Sequence, residues 1–231
     1  MHSILILLFT ILTIAAAPPP PPCVNVHLIV ARQSNAWPGE GRMKELADSI
    51  KRQLPSADSE ALQYPAYGDI WRYRSSVFAG DKAMIAATTT YVSRCPNSTI
   101  VLLGYSQGAH IIGDILCGSV IEMGFLALNP LDGHMGAKIV AAVSMGDPTY
   151  AMGLPYNFGT SKKNGRFPRV NHTACTKYNS IRRSYCDEGD KFCAAGFRFG
   201  VHRKYVAKYK DDATRFVLSR INASGVMLPR Q

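Results

Sequence analysis

The chain has 231 residues, 47% of them hydrophobic, and 26 basic against 16 acidic side chains give it a formal charge of +10. A chain of that length and hydrophobic content can bury about 70% of its unfolded surface in one core, which makes one domain the default. The basic excess points toward acidic polysaccharide, nucleic acid or anionic surfaces, but no aromatic-basic repeat or nucleic-acid motif accompanies it, so nucleic acid is set aside and a basic exoprotein is expected.

The first residues, MHSILILLFTILTIAAA, hold an apolar run from Ile4 to Ala17 that ends in small residues, as a secretory h-region and cleavage zone do. It is too short to span a bilayer. Residues 1–17 are therefore expected to be a signal peptide, Pro18 to Pro22 a stiff spacer, and residues 23–231 the folded, exported domain. Six cysteines (Cys23, Cys95, Cys117, Cys175, Cys186 and Cys193) contain no CxxC pair and no zinc-like spacing with histidine. An even number without metal spacing predicts three disulfides in an oxidising compartment. Asn97, Asn171 and Asn222 each open an Asn-x-Ser/Thr glycan acceptor.

From Cys23 the stretch VNVHLIVA (Val24 to Ala31) is β-branched and apolar enough for a buried strand. RMKELADSIKRQL follows, with Met43, Leu46, Ala47, Ile50 and Leu54 on one helical face. EALQY (Glu60 to Tyr64), closed by Pro65, suits a further strand, and the alanine-rich stretch from Ser75 to Ser93 a helix. STIVLLGY (Ser98 to Tyr105) is an apolar strand, QGAHIIGDILC a helix, KIVAAVSM (Lys138 to Met145) another buried strand, and SIRRSY (Ser180 to Tyr185) the last. YVAKYKDDATRFVLSRI closes the domain as a helix with Val206, Tyr209, Phe216, Val217 and Ile221 along one stripe. Residues Asp147 to Asn179 follow neither period and are expected to form a structured functional loop. Strands alternating with helices predict an α/β fold: one sheet of about five parallel strands, covered by helices on both faces.

After the third of these strands the chain reads G-Y-S-Q-G, Gly104 to Gly108. A buried parallel strand entering a helix turns sharply at its carboxyl end, where such sheets bind ligands. Glycines on either side relieve crowding there, so Ser106 projects from the apex in a strained conformation, and the Gln107 N–H can meet a developing oxyanion. A serine hydroxyl needs an imidazole to take its proton and a carboxylate to orient that imidazole. In hydrolase sheets they follow in the order acid, histidine. Downstream lie His110, His134, His172 and His202. His110 is one turn into the helix after the elbow and His172 sits in a glycan acceptor, whereas His202 precedes the final helix, where a loop can return it to the sheet edge. Twelve residues before it, Asp190 lies in CDEGDKFC. If Cys186 and Cys193 pair, they clamp a loop presenting Asp187, Glu188 and Asp190. Closing so short a ring supplies only about 2.5 kcal/mol, so it suits the positioning of an acid; a solvated acidic turn with a stabilising disulfide is the other reading.

Taken together, GYSQG, the Cys95-Pro96 entry to its strand, MGDP (Met145 to Pro148), and C-x-x-x-D-x-x-C followed by a histidine resemble, in the same order, the cutinase and acetylxylan esterase family of secreted serine esterases. The resemblance runs from Cys23 to about Ile221. YPA (Tyr64 to Ala66), GLPYN (Gly153 to Asn157) and SYCD (Ser184 to Asp187) are more similar to the acetylxylan esterase branch. It implies an α/β-hydrolase fold without cofactor or metal, with Ser106 as nucleophile, Asp190 as orienting acid and His202 as base. ARQSN (Ala31 to Asn35) stands where the family has its second oxyanion element, which implicates Ser34 beside the Gln107 N–H. The same resemblance implies disulfides Cys23–Cys95 and Cys186–Cys193, and leaves Cys117 with Cys175. Gln33 replaces a glycine usual in cutinases, and Ser161 a cysteine of acetylxylan esterases.

The expectation is a monomeric secreted esterase for acetyl esters of plant cell-wall polysaccharide. Its alternatives are a cutinase acting on cutin or other longer-chain acyl esters, and a non-catalytic wall-binding or host-interacting protein on the same scaffold. Near His202, Phe197, Phe199 and Val201 suit an apolar lip for an acyl chain, and Arg198, Arg203 and Lys204 suit an acidic polysaccharide. Ordinary packed and solvated surface is the equal alternative for both clusters.

Overall fold

The computed structural model describes residues 21–119, 124–170 and 172–225. The expected leader, Pro18 to Pro20 and the acceptor Asn171 lie outside them. The strands are β1 (Val26–Ala31), β2 (Ala57–Ala61), β3 (Thr99–Tyr105), β4 (Ile139–Met145), β5 (Asn157–Phe158) and β6 (Arg182–Tyr185). The helices are α1 (Lys44–Gln53), α2 (Tyr73–Arg94), α3 (Gln107–Cys117), α4 (Gly133–Gly136), α5 (Phe199–His202) and α6 (Tyr205–Ala223).

All strand pairs are parallel, in one six-stranded sheet ordered β2-β1-β3-β4-β6-β5. Alternate residues of the apolar runs feed two cores. Val26, Leu28 and Val30 of β1 join Val101, Leu103 and Tyr105 of β3 against α1 and α6. Ile29 and Ala31 join Ile100 and Leu102 against α2 and α3. Burial on both faces is why these strands are continuously apolar rather than alternating.

About five strands were expected, and six are present among the described residues. The extra one, β5, is two residues inside the stretch taken as irregular, too short to show a period. That stretch is nonetheless ordered by its own backbone bonds, from Gly165 N–H to Tyr150 O (2.8 Å) and from Phe167 N–H to Pro148 O (2.9 Å). The second strand begins three residues before the predicted Glu60 to Tyr64, because ADSEA, at the sheet edge, is only half-buried and carries no apolar run. The predicted last strand also shortens: Ser180 and Ile181 belong to a 3-10 helix over Thr173–Ile181.

Disulfides join Cys23 to Cys95, Cys117 to Cys175 and Cys186 to Cys193, the pairing that the resemblance implied. Among the described residues no helix is long and apolar enough to cross a membrane, and no cluster of His, Cys, Asp and Glu could hold a metal.

Chain order reverses beside β1: the strand that follows it pairs on one side and β3 on the other. The crevice outside the carboxyl ends of two such strands is where open parallel sheets take ligands. Ala31, which ends β1, stands level with Gly104 of β3. Ser34 and Ser106 therefore leave the sheet on either side of that crevice.

Candidate active site

The elbow is built by close approach. A Cβ on Gly104 would lie 2.5 Å from the Gly108 carbonyl oxygen, and one on Gly108 only 2.1 Å from that of Ala31. Without those side chains α3 rests directly on the ends of β1 and β3. Ser106 is thereby forced to φ 53°, ψ −112°, a strained conformation costing about 1–3 kcal/mol. Its N–H donates to Met145 O (2.8 Å), and its carbonyl accepts from His110 N–H (3.1 Å). Gln107 begins α3 and is fully buried. Its side-chain amide donates to Tyr67 O (2.9 Å) and accepts from Ser76 Oγ (3.2 Å), which fixes the first turn of the helix and the direction of its N–H. His110 is committed elsewhere, 3.3 Å from Asp114 and 3.2 Å from the Tyr73 hydroxyl.

Across the crevice, the Ser34 loop is stapled to the segment around Tyr64. Arg32 is buried, and its guanidinium donates to the carbonyls of Ala36 (3.1 Å), Leu62 (3.0 Å) and Tyr64 (2.5 Å), while the Tyr64 hydroxyl donates back to the Arg32 carbonyl. Asn35 and Ala66 both adopt left-handed backbone, φ 58° and 55°, and Asn35 N–H meets Ala66 O at 2.7 Å. Ser34 itself lines the cavity described below. The YPA motif noted in the sequence thus holds the loop that carries Ser34.

The histidine side is built from hydrogen bonds. His202 Nδ1 lies 2.8 Å from Asp190 Oδ2, and the two residues are 5% and 0% exposed. The same carboxylate oxygen accepts from the Tyr205 hydroxyl (2.8 Å), and Oδ1 accepts from the N–H groups of Phe192 (2.6 Å) and Cys193 (2.9 Å). Burial works to raise this carboxyl; the His202 hydrogen bond and charge, with the two N–H groups, outweigh it and hold Asp190 below its ordinary pKa. Burial, then the Asp190 charge, push the Tyr205 hydroxyl well up, so it stays protonated and donating. Of the three acids in the clamped loop only Asp190 meets the imidazole. Asp187 instead ties the loop to Thr160, Lys208 and Tyr209, and Glu188 is exposed.

His202 ends the short helix α5, where a loop was expected. Two residues that the sequence showed only as members of GYSQG and MGDP place it. The Tyr105 hydroxyl donates to the His202 carbonyl at 2.5 Å. Gly146, at φ +66°, lies where a Cβ would come within 2.7 Å of His202 Cε1. MGDP gave the only sequence signal for the glycine; nothing local marks the hydroxyl of Tyr105 or Tyr205 as a support for the Asp190–His202 pair.

Ser34, Ser106 and His202 line one cavity of about 560 Å³, together with Tyr105, Phe192 and Phe199. Of the proposed apolar lip, Phe199 alone lines it; Phe197 is 98% exposed and, like Val201, is not among the lining residues. The arrangement joins a strained serine hydroxyl, a carboxylate-oriented imidazole and a helix N-terminus, the components of acyl transfer.

The family model for cutinase matches residues 22–221. Cutinase 11 of Verticillium dahliae is 34% identical over 211 residues, covering 88% of this chain and 71% of that protein. An acetylxylan esterase of Hypocrea jecorina is 34% identical over 215 residues, covering 90% and 70%. Among solved structures, the catalytic core domain of acetyl xylan esterase from Trichoderma reesei superposes with a TM-score of 0.80 at 34% identity, over 86% of this chain and 99% of that one. With a match spanning nearly the whole folded domain, the chain belongs to the cutinase family of carboxylic ester hydrolases.

Proposed function

We propose that the protein is a secreted, monomeric serine esterase whose nucleophile is Ser106, with His202 as general base and Asp190 as the acid that orients it. Ser106 Oγ attacks the ester carbonyl as His202 Nε2 takes its proton, and the Gln107 N–H, with Ser34, meets the oxyanion. Collapse of the tetrahedral intermediate breaks the bond to the alcohol, which leaves with the proton from His202. Water, activated by the same imidazole, then releases the acid and restores Ser106. The 2.8 Å contact between His202 and Asp190, at the wall of a cavity that Ser106 also lines, carries this assignment.

The substrate class we propose is acetyl esters of plant cell-wall polysaccharide, supported by the 34% identity to an acetylxylan esterase and the TM-score of 0.80 to an acetyl xylan esterase catalytic core. The apolar leader at residues 1–17, the spacer to Pro22 and the three disulfides of the domain from Cys23 onward support export. A preference for longer acyl chains is the second reading, favoured by Phe167, Phe192 and Phe199 in the cavity wall. Each buried methylene would then add up to about 0.8 kcal/mol. Rates on nitrophenyl acetate, butyrate and octanoate, beside acetate release from acetylated wall polysaccharide, separate the two. The acetyl ester is expected to be cleaved fastest; a rate rising to octanoate, with no acetate released from polysaccharide, would move the protein to the polyester-cutting class.

A further inference from the structure

Ester hydrolysis by Ser106 makes no use of the charge around the cavity mouth. Arg42, Arg74, Arg166 and Arg203 line the cavity, and none of its described lining residues is Asp or Glu. All four are exposed. They come from separate segments: the turn before α1, the first turn of α2, the loop after β5, and the turn between α5 and α6. Arg42 lies 6.0 Å from the Tyr105 ring centre and Arg203 4.4 Å from that of Phe199. A ring face holds a guanidinium in place without using its in-plane N–H donors, although Arg42 Nη1 also donates to the Arg203 carbonyl at 3.4 Å. Among the described residues, no carboxylate stands within ion-pairing distance of Arg42, Arg166 or Arg203.

Two acids close to the mouth are engaged elsewhere. Asp69, between the lining residues Gly68 and Ile70, is paired with Arg72 at 2.9 Å. Asp190 behind His202 is met by the imidazole and three further donors. The described lining of the mouth is therefore cationic. Like charges held close together repel, and a neutral ester gives nothing in return.

We infer that the ester cleaved here is carried on a polyanion: an acetylated polysaccharide whose sugars bear carboxylates, lying with those carboxylates against Arg42, Arg166 and Arg203 while an acetyl group enters over Ser106. This deepens the esterase reading above and rests on it. Guanidinium and carboxylate pair by two parallel hydrogen bonds, and cations on separate segments around one mouth match an anion that repeats along a chain. A lipid headgroup offers a single phosphate. Trp37 and Trp71, 90% and 88% exposed, stand in the two segments that adjoin Ser34, one two residues beyond Asn35 and the other beside Ile70 of the cavity wall. An indole joins a broad apolar face to a polar N–H, so either ring could pack against the apolar face of a sugar in a bound polymer.

The test compares acetate release by the full protein from acetylated polygalacturonan and from acetylated neutral xylan, at low and high salt, with nitrophenyl acetate as the small neutral ester. At low salt kcat/KM is expected to be about tenfold higher on the acidic polymer, and most of that preference should vanish at about 0.5 M NaCl, where charges are screened within a few ångströms. The variant Arg166→Gln/Arg203→Gln should lose the preference at low salt. Equal or faster cleavage of neutral xylan overturns the inference, as does a preference that survives both salt and the variant. Faster fatty-acid release from anionic phospholipid vesicles than acetate release from either polymer overturns it too, and assigns the charge to a lipid surface. Failure on nitrophenyl acetate counts against the esterase reading alone. The charge inference is then read by calorimetry with Ser106→Ala: salt-sensitive binding of de-esterified oligogalacturonide supports it, and absence of binding refutes it.

Discussion

Around Ser106 the chain is held by packing, and around His202 by polar contacts. On the serine side, missing Cβ atoms at Gly104 and Gly108 let a helix sit against two buried strands, and the strained serine follows from that contact. On the histidine side, the seven-residue separation of Cys186 and Cys193 closes an irregular loop, and four donors converge on one carboxylate. Packing sites tolerate no added volume but are indifferent to pH. A hydrogen-bonded carboxylate tolerates small changes of shape, yet its orientation depends on each donor and on its charge.

Three substitutions probe that contrast. The largest effect is expected from Asp190→Asn, which keeps the shape but presents the wrong partner to His202 Nδ1. The kcat for ester hydrolysis should fall about 10,000-fold, with the fold intact by circular dichroism. Next comes Gly108→Ala on the packing side, where the new methyl would collide with the backbone of Ala31. Overpacking against backbone should cost about 3 kcal/mol of stability, read as a lower urea midpoint; an unchanged midpoint would mean that α3 moves freely off β1. The smallest is Tyr205→Phe, which removes one donor from Asp190 and should lower kcat about tenfold with KM unchanged.

Tyr205→Phe also carries a pH signature. Because the Asp190 pKa is lowered in the folded protein, the stability it contributes is whole above the unfolded carboxyl value of about 3.9 and is lost as pH falls through the lower folded value. Losing the Tyr205 donor raises the folded value, so the acid unfolding midpoint should move to higher pH. Gly108→Ala should weaken the protein equally at pH 4 and pH 7.

The same contrast explains what the sequence could show. β1 and β4 are fully buried parallel strands and β3 is buried beyond Thr99, and their apolar runs announce them. The glycines of GYSQG mark the elbow because the packing they permit is local to one turn. Edge strands were less legible: β2, half-exposed, was expected three residues too late, and β5, with two residues, escaped. Asp190 and His202 were legible through the clamped loop and the order of residues. Their supports were not, since Tyr105 reaches His202 across 97 positions and Tyr205 acts through a hydroxyl that no periodicity distinguishes from core packing. Arg32, read only as part of the oxyanion segment, staples that segment through contacts about thirty positions away.

The central claim is that Ser106 is a nucleophile activated within this fold. Incubating the oxidised, folded protein with a fluorophosphonate and mapping the adduct by peptide mass spectrometry tests it most directly. The account predicts one equivalent of label on the peptide carrying Ser106, and none after Ser106→Ala or after unfolding. A folded protein that stays unlabelled, or carries its label on another residue, would contradict it.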